Sequence, residues 1–205
     1  MRKLFFLIIV GISLVGCSTQ AEINIINRTN NNLYIALEGE SYVLEGSENK
    51  VITIDTGKRN IFSEEITKVE LQLEGETFMM QLGDPYGYVT GEYYNTTDLE
   101  LKQNETRNIY CDPTHAGFKV YNNFGKLISS IKYFANNDTM DHVCATDLEE
   151  EDFAFQQLRY YTDGDTIYYT FELNFDDGSH NVYGGPGNLM ELDELFYIDK
   201  DTEKK

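Results

Sequence analysis

Residues 167–175 read IYYTFELNF, and this stretch has the clearest strand pattern in the chain. Its large apolar side chains occupy every second position, namely Ile167, Tyr169, Phe171, Leu173 and Phe175. Alternation with a period of two is typical of a β-strand that buries one face. A register shift of one residue would turn this whole row to water, so the register is strongly specified. Asp163-Gly164 before the run and Asp177-Gly178 after it are hairpin dipeptides.

Shorter versions of this pattern recur along most of the chain. The apolar members of two runs near its start are Ile23, Ile25, Leu33, Ile35 and Leu37. Residues 27–32, NRTNNN, separate these runs with turn chemistry. Glu74-Gly75 and Asn104-Glu105 lie between later apolar runs and predict tight hairpins. No stretch has the pattern of a long amphipathic helix, so we predict an all-β protein.

A break in the strand rhythm predicts two domains. Residues 112–116, DPTHA, place a proline and small polar residues between two sets of strands. The run at 118–125 parallels the run at 23–30, because in both an apolar strand leads into Asn and a turn. This single match leaves duplication and coincidence both open. We predict two tandem antiparallel, Ig-like β-sandwich domains, at 23–112 and 117–200, and a disordered charged tail at 201–205.

The second unit resembles a group of small uncharacterised β-sandwich domains of secreted bacterial proteins. Three segments carry the resemblance: 120–125 (VYNNFG), 171–178 (FELNFDDG) and 189–192 (LMEL). The chain departs from the group at Met190, where a Cys is common. The resemblance covers residues 117–200, implies the sandwich fold and brings no known activity with it.

The first 17 residues have the three parts of an export signal. Arg2 and Lys3 are followed by an apolar run at 4–15, which is too short to span a bilayer. Leu14-Val15-Gly16-Cys17 resembles a bacterial lipobox. The resemblance implies cleavage of a signal peptide at 1–16, lipid on Cys17, and membrane attachment through a tether at 17–22. Ser18 favours the outer over the inner membrane of a Gram-negative cell; the alternative is a buried N-terminal element with a core cysteine.

Composition excludes some classes of partner and of structure. Lys and Arg number 16 against 35 Asp and Glu, which gives a formal net charge of -19. Nucleic acid is excluded as a partner, because phosphate binding needs a basic face. The charged fraction of 25% and the hydrophobic fraction of 41% are globular values, so the chain is not an acidic disordered segment.

Cys111 and Cys144 are the two cysteines that remain beside Cys17. Export permits a disulfide between them, which would clamp the two units together; the alternative is two separate buried thiols. The histidines are scattered, at positions 115, 142 and 180, without metal-ligand spacing. We therefore predict no metal and no cofactor.

Residues 82–97, LGDPYGYVTGEYYNTT, break the alternation and predict a long loop. This candidate binding loop contains Tyr86, Tyr88, Tyr93 and Tyr94. Tyrosines on a loop are rigid amphipathic anchors that suit contact with a ligand or partner. The alternative is that they cap one end of a sandwich. A second loop with an aromatic residue and glycines is predicted at 183–187.

The chain contains no G-x-S-x-G, H-E-x-x-H or P-loop motif. We therefore predict a non-enzymatic binding or scaffold module, held at the membrane by the N-terminal lipid. It would present loops or strand edges to another envelope protein. The alternative is a surface adhesin that binds glycans by stacking them on exposed tyrosines. An enzyme would need a cleft with convergent polar groups and perturbed acids.

Overall fold

The computed structural model describes residues 19–57, 66–83, 89–138, 140–162 and 166–204. These residues form β-strands and no helix, so the all-β prediction is confirmed. None of this part of the chain could therefore cross a bilayer as an apolar helix. The strands, in chain order, are β1 (Gln20–Asn27), β2 (Leu33–Leu37), β3 (Glu40–Leu44), β4 (Asn49–Asp55), β5 (Ile66–Gly75), β6 (Met80–Gly83), β7 (Val89–Tyr94), β8 (Thr96–Lys102), β9 (Thr106–Cys111), β10 (Ala116–Tyr121), β11 (Ile128–Ala135), β12 (His142–Leu148), β13 (Phe153–Leu158), β14 (Tyr168–Phe175), β15 (His180–Leu189) and β16 (Leu195–Ile198).

Strands β1 to β9 form domain 1, a sandwich of two sheets and one added hairpin. The three-stranded sheet has the order β4-β1-β9, the four-stranded sheet the order β3-β2-β5-β8, and β6 pairs with β7. Alternate side chains of both sheets meet in one core, where Ile23 and Ile25 of β1 and Leu71 and Leu73 of β5 are fully buried. The period-two pattern thus places one face of each sheet in the core.

Domain 2 repeats this arrangement. Its sheets have the orders β13-β10-β16 and β12-β11-β14-β15, so every strand of domain 1 except β6 and β7 has a counterpart. The central strand predicted from residues 167–175 is β14, whose Tyr169, Phe171, Leu173 and Phe175 are all buried. The prediction of two β-sandwich domains is confirmed.

Asn27 and Asn122 make the same corner in the two domains. Each continues the inward-facing row of the first strand, and each is buried. Asn27 Nδ2 donates to the Leu44 carbonyl at the end of β3, and Asn122 Nδ2 donates to the Leu148 carbonyl at the end of β12. The parallel between residues 23–30 and 118–125 therefore has a structural counterpart, since a buried amide needs such partners.

The sheets are not purely antiparallel, in contrast to the prediction. The last strand of each domain runs parallel to the first, β9 beside β1 and β16 beside β10. Asn104-Glu105 is correspondingly not a hairpin, because β8 and β9 belong to different sheets. The chain crosses the sandwich at this turn and enters the three-stranded sheet from the end where β1 begins, which makes the pair parallel.

Two turn predictions need correction. β5 continues through Gly75 because Leu33 and Tyr34 of β2 still pair with residues 75 and 74, and the turn lies at Glu76-Thr77. The predicted loop at 183–187 is part of β15, and Tyr183 is fully buried. A Cβ atom at Gly184, where φ is +75°, would lie 2.4 Å from the Tyr169 carbonyl oxygen, so this strand needs glycine for its close approach.

The first and last structured residues also differ from the predicted domain boundaries. β1 begins at Gln20, and the Thr19 carbonyl already accepts a hydrogen bond from the Thr56 amide at 2.7 Å, so the tether is shorter than 17–22. After β16 the Asp199 amide donates to Thr202 Oγ1 at 2.9 Å, so a turn replaces the start of the predicted disordered tail. Cys17 and the predicted signal peptide lie outside the described residues.

The two domains meet through a buried ion pair. Glu76, in the turn after β5, accepts from Lys119 Nζ of β10 at 2.6 Å. The same oxygen accepts from the Tyr34 hydroxyl at 2.8 Å, and the other oxygen accepts from the Asn32 amide at 3.2 Å. Only 3% of the Glu76 side chain and 16% of the Lys119 side chain are exposed. Burial and the hydrogen bond to Glu76 both raise the pKa of Tyr34, which is therefore a neutral donor.

Aromatic rings surround this pair. The Tyr34 ring stacks on Phe155 and Phe153 of β13, with centroid separations of 5.0 and 5.6 Å. Lys119 Nζ lies 4.4 Å from the centroid of the Phe153 ring. Because Lys119 is the register partner of Phe155 and of Tyr197, the outer face of the three-stranded sheet of domain 2 forms this side of the contact.

Further hydrogen bonds extend the contact on both sides. The Asp193 carboxylate accepts from Thr77 Oγ1 at 2.7 Å and from the Asn30 amide at 2.9 Å. Gln157 Nε2 donates to the Gly75 carbonyl at 2.7 Å. A Cβ atom at Gly117 would lie 2.2 Å from the Glu76 carbonyl oxygen, so only glycine permits this approach. We call the set Tyr34, Glu76, Thr77, Lys119, Phe153, Phe155, Gln157 and Asp193 the interdomain joint.

The interdomain joint predicts an asymmetric mutational response. Lys119→Ala leaves the Glu76 charge buried without its cation, and we expect the free energy of unfolding to fall by about 3–5 kcal/mol. The double variant Lys119→Met with Glu76→Gln removes both charges and should recover most of this loss. Urea denaturation measures both effects.

The matched control is Lys68→Ala. Lys68 pairs with Glu100 at 2.9 Å, but both side chains are more than half exposed, so the stability should hardly change. If Lys119→Ala is no more destabilising than Lys68→Ala, the buried pair does not hold the domains together.

Candidate functional site

In the part of the chain that the structure describes, the hairpin of β6 and β7 is the one element of domain 1 without a counterpart in domain 2. Met80 pairs with Tyr94, and Gln81 pairs with Tyr93. In domain 2 the corresponding strands, β14 and β15, are joined directly by the turn at residues 176–179. The hairpin is therefore an insertion into a repeated framework, and insertions on such frameworks commonly carry binding functions.

The hairpin is fixed to the segment that joins the two domains. The Met79 amide donates to Thr114 Oγ1 at 2.9 Å, and Tyr93 packs edge-on against the His115 ring at 4.5 Å. The Thr77 carbonyl accepts from the amides of Thr114 and His115 at 3.1 and 3.0 Å. Burial lowers the pKa of His115, so its imidazole is neutral near pH 7. These contacts hold the base of the hairpin in place.

A cleft of about 380 Å³ lies between the hairpin and β9. Met79, Met80 and Tyr94 come from the hairpin side, and Ile109 and Tyr110 come from β9. Ile109 and Met80 also pack against the core of domain 1, so the floor of the cleft is apolar. A mostly apolar cleft with a few polar groups is the usual form of a ligand site.

Among the lining residues that the structure describes, Asp112 supplies the one ionisable carboxylate. Arg28 lies beside it, with Nη1 3.4 Å from Asp112 Oδ1 and its guanidinium carbon 4.1 Å from the centroid of the Tyr110 ring. Tyr110 is 50% exposed and Tyr94 is 38% exposed. The cleft therefore combines aromatic surface and flexible Met side chains with one charged end.

The structure brings together half of the candidate binding loop. Tyr93 and Tyr94 lie on β7, so this part of the predicted loop is a strand, and Tyr94 lines the cleft. Tyr86 and Tyr88 lie outside the described residues. Sequence reasoning missed Met79, Met80 and the contribution of β9, because no local pattern indicates which strand a hairpin packs beside.

Cys111 and Cys144 are both free thiols, so the disulfide considered for them is not formed. The physical reason is their location: Cys111 is buried in the core of domain 1, whereas Cys144 packs against the core of domain 2. Burial raises the pKa of Cys111 to about 12 and that of Cys144 to about 11. Because the thiolate is the reactive form, neither sulfur is an activated nucleophile.

Within the described residues, no group of three or more His, Cys, Asp or Glu side chains is placed to hold a metal ion. The buried charges of the interdomain joint are paired with each other. The described part of the cleft lining contains Asp112 without a second carboxylate or a histidine. The arrangement suits binding by contact and hydrogen bonding.

No family model matches the chain, and the search of curated proteins found no match. Several solved structures align with it weakly, the following three among them. The Bacillus anthracis TIE protein is 11% identical with a TM-score of 0.29, over 91% of this chain and 34% of its own length, so this chain spans about a third of that protein. A putative adhesin from Bacteroides ovatus is 6% identical with a TM-score of 0.25, over 80% of this chain and 74% of the adhesin. The major pilin protein of Streptococcus pyogenes is 10% identical with a TM-score of 0.26, over 91% of this chain and 99% of the pilin.

Thiol reactivity provides a test of the two cysteine environments. A soluble form that begins at Ser18 keeps every described strand and contains only Cys111 and Cys144. At pH 8 both thiols should react with a disulfide reagent at least roughly a hundredfold more slowly than free cysteine, because their raised pKa values leave little thiolate. In guanidinium without reductant, two thiols per chain should titrate; finding none would mean that the disulfide forms after all.

Proposed function

We propose that this chain is a lipid-anchored protein of the bacterial cell envelope that binds a partner through the cleft beside β9. The observation that carries the proposal is the cleft, which is mostly apolar, opens beside exposed tyrosines and is held by a hydrogen-bonded hairpin. The body of the protein acts without catalysis, as a rigid support for this binding surface.

The position of β1 supports attachment through Cys17. Only Ser18 separates Cys17 from Thr19, whose carbonyl is already bonded to Thr56. One residue spans about 3.5 Å, so a lipid on Cys17 would place the start of domain 1 directly at the membrane surface. Diacylation would make this anchor lasting, because two acyl chains hold a protein far more stably than one.

The direction of β9 then turns the cleft away from the membrane. β9 runs parallel to β1, with Thr106 beside Glu22 near the proposed anchor. Tyr110 lies four residues further along, which is about 13 Å at the rise of a β-strand. The lining residues from Ile109 to Thr114 would therefore face outward, where a partner can reach them.

Lipid attachment is tested by changing the modified residue. The Cys17→Ala variant of the full chain should leave the membrane fraction, while the parent chain stays in it. Mass spectrometry of the parent should find acyl groups on Cys17. A variant that sediments with membranes as the parent does, or a parent without acyl groups, would refute the anchor.

Partner binding is tested with a change inside the cleft. The double variant Met80→Ser and Tyr94→Ser should lose capture of its partner after crosslinking in native membranes, since it removes apolar lining from the cleft. Because Met80 also packs against the core of domain 1, circular dichroism must show that the variant keeps its β-structure. Val43→Ser is the matched control, because Val43 is 61% exposed on β3, on another face of domain 1. Equal capture by the cleft variant and the parent would reject this site.

Glycan binding is the second candidate function. The exposed tyrosines at the cleft, Tyr94 and Tyr110, favour it, because an aromatic face can stack on a sugar ring. A glycan array probed with the form that begins at Ser18 distinguishes the two: binding that depends on Tyr94 supports the glycan function, and its absence leaves a protein partner.

A further inference from the structure

The two sheets of domain 1 do not have the same number of strands. Three strands, β4-β1-β9, face four strands, β3-β2-β5-β8. β9 is the terminal strand of its sheet, and within the described residues no strand pairs with its outer side. The cleft lies on this side, and its lining includes Thr96 and Thr97 of β8 as well as Ile109 of β9. It therefore occupies the place where a fourth strand would complete the three-stranded sheet.

The backbone of β9 offers hydrogen bonds toward this place. The carbonyls of Glu105 and Cys111 accept from the amides of Glu22 and Arg28, so the odd-numbered residues of β9 direct their backbone groups toward β1. In a parallel pair the alternate residues point the other way. The N–H and C=O groups of Asn108 and Tyr110 therefore face outward, at the edge that borders the cleft.

The proposal that follows rests on the binding function proposed above and names the class of ligand. We propose that the cleft binds an extended peptide segment of a partner protein, which adds as a fourth strand along the outer edge of β9. Main-chain hydrogen bonds to Asn108 and Tyr110 would hold the segment. Alternate apolar side chains would enter the cleft, where Met80 and Ile109 provide adaptable apolar surface.

Charge argues for a basic segment from another protein. The chain carries a formal charge of -19, and Asp112 is among the residues that line the cleft. A second copy of the chain would meet like charge, which opposes self-association. Lys or Arg at the outward positions of the incoming strand would be attracted by this field and would share Asp112 with Arg28, whose Nη1 lies 3.4 Å from the carboxylate.

The β6–β7 hairpin distinguishes the β9 edge of domain 1 from the corresponding edge in the described part of domain 2. In domain 2 the corresponding edge belongs to β16, and there the strands β14 and β15 are joined without an inserted hairpin. In domain 1 the hairpin forms the outer wall of the cleft. An incoming strand would thus be held between an edge strand and a wall that the Thr114 contact fixes.

The test uses a synthetic eight-residue peptide of alternating Lys and Val, with titration calorimetry on the form that begins at Ser18 in physiological salt. Tyr110→Pro removes an outward-facing amide from β9 and should weaken binding by about tenfold or more. Tyr110→Ala loses the same ring from the cleft but keeps that amide, so it should bind the peptide more tightly than Tyr110→Pro, and the difference between the two variants measures the main-chain hydrogen bond. Proline is tolerated on edge strands, so the variant should still fold.

Val51→Pro is the matched control on the other edge of the same sheet. Val51 lies on β4, is 51% exposed, and by the antiparallel alternation with β1 also directs its amide outward. This variant should bind the peptide as the parent does. In the parent, the amide protons of Asn108 and Tyr110 should become protected from exchange when the peptide binds.

Several outcomes would overturn strand addition: no binding to the parent, equal binding to the parent and to Tyr110→Pro, or equal binding of a peptide of alternating Glu and Val. The crosslinking assay separates this result from the broader function. If Met80→Ser with Tyr94→Ser loses the native partner while Tyr110→Pro keeps it, the cleft binds its partner without strand addition. If both variants keep the partner, the cleft is not the binding site.

Discussion

The arrangement of the two domains depends on the ion pair between Glu76 and Lys119. Removing two charges from water is costly, and a buried pair is tolerated only when the remaining hydrogen-bonding groups are satisfied. Here the Tyr34 hydroxyl and the Asn32 amide donate to the carboxylate beside Lys119, and the Tyr34 ring stacks on the Phe155 ring of β13. Sliding one domain over the other would separate the charges in an apolar setting. The domains are therefore held in one relative position, and the segment between them, which carries Thr114, is held with them.

The fixed joint has a consequence for the cleft beside β9. Thr114 and His115 belong to the connection between the domains, and both bind the hairpin or the turn before it. The wall of the cleft is thus attached to the same structure that fixes the domains. A site built this way loses little conformational entropy when a ligand binds, which favours affinity for a partner with few polar contacts.

The two domains have the same strand order, and they differ at the hairpin beside which the binding site is proposed. Asn27 and Asn122 occupy corresponding positions and donate the same hydrogen bond to the end of the third strand of their domains, so the framework is repeated even in its buried polar groups. The difference is the β6–β7 hairpin, which turns an ordinary sheet edge in domain 1 into a cleft. Domain 2 instead uses the outer face of its three-stranded sheet to hold domain 1. In domain 1 an edge of the framework forms the cleft, whereas in domain 2 a sheet face of the same framework forms the contact with domain 1.

The amino-acid sequence by itself determined which residues form strands and which face each strand buries, because side-chain direction alternates along a strand and apolar residues leave water. The row from Ile167 to Phe175 and the matching Asn27 and Asn122 follow from this local rule. Sequence reasoning also found Tyr93 and Tyr94, but it treated their segment as a loop. Only the tertiary structure decided that β9 runs parallel to β1, that Glu76 meets Lys119 and that Met80 and Ile109 line the same cleft. These contacts join residues that are far apart in the chain, and their geometry depends on how complete sheets pack.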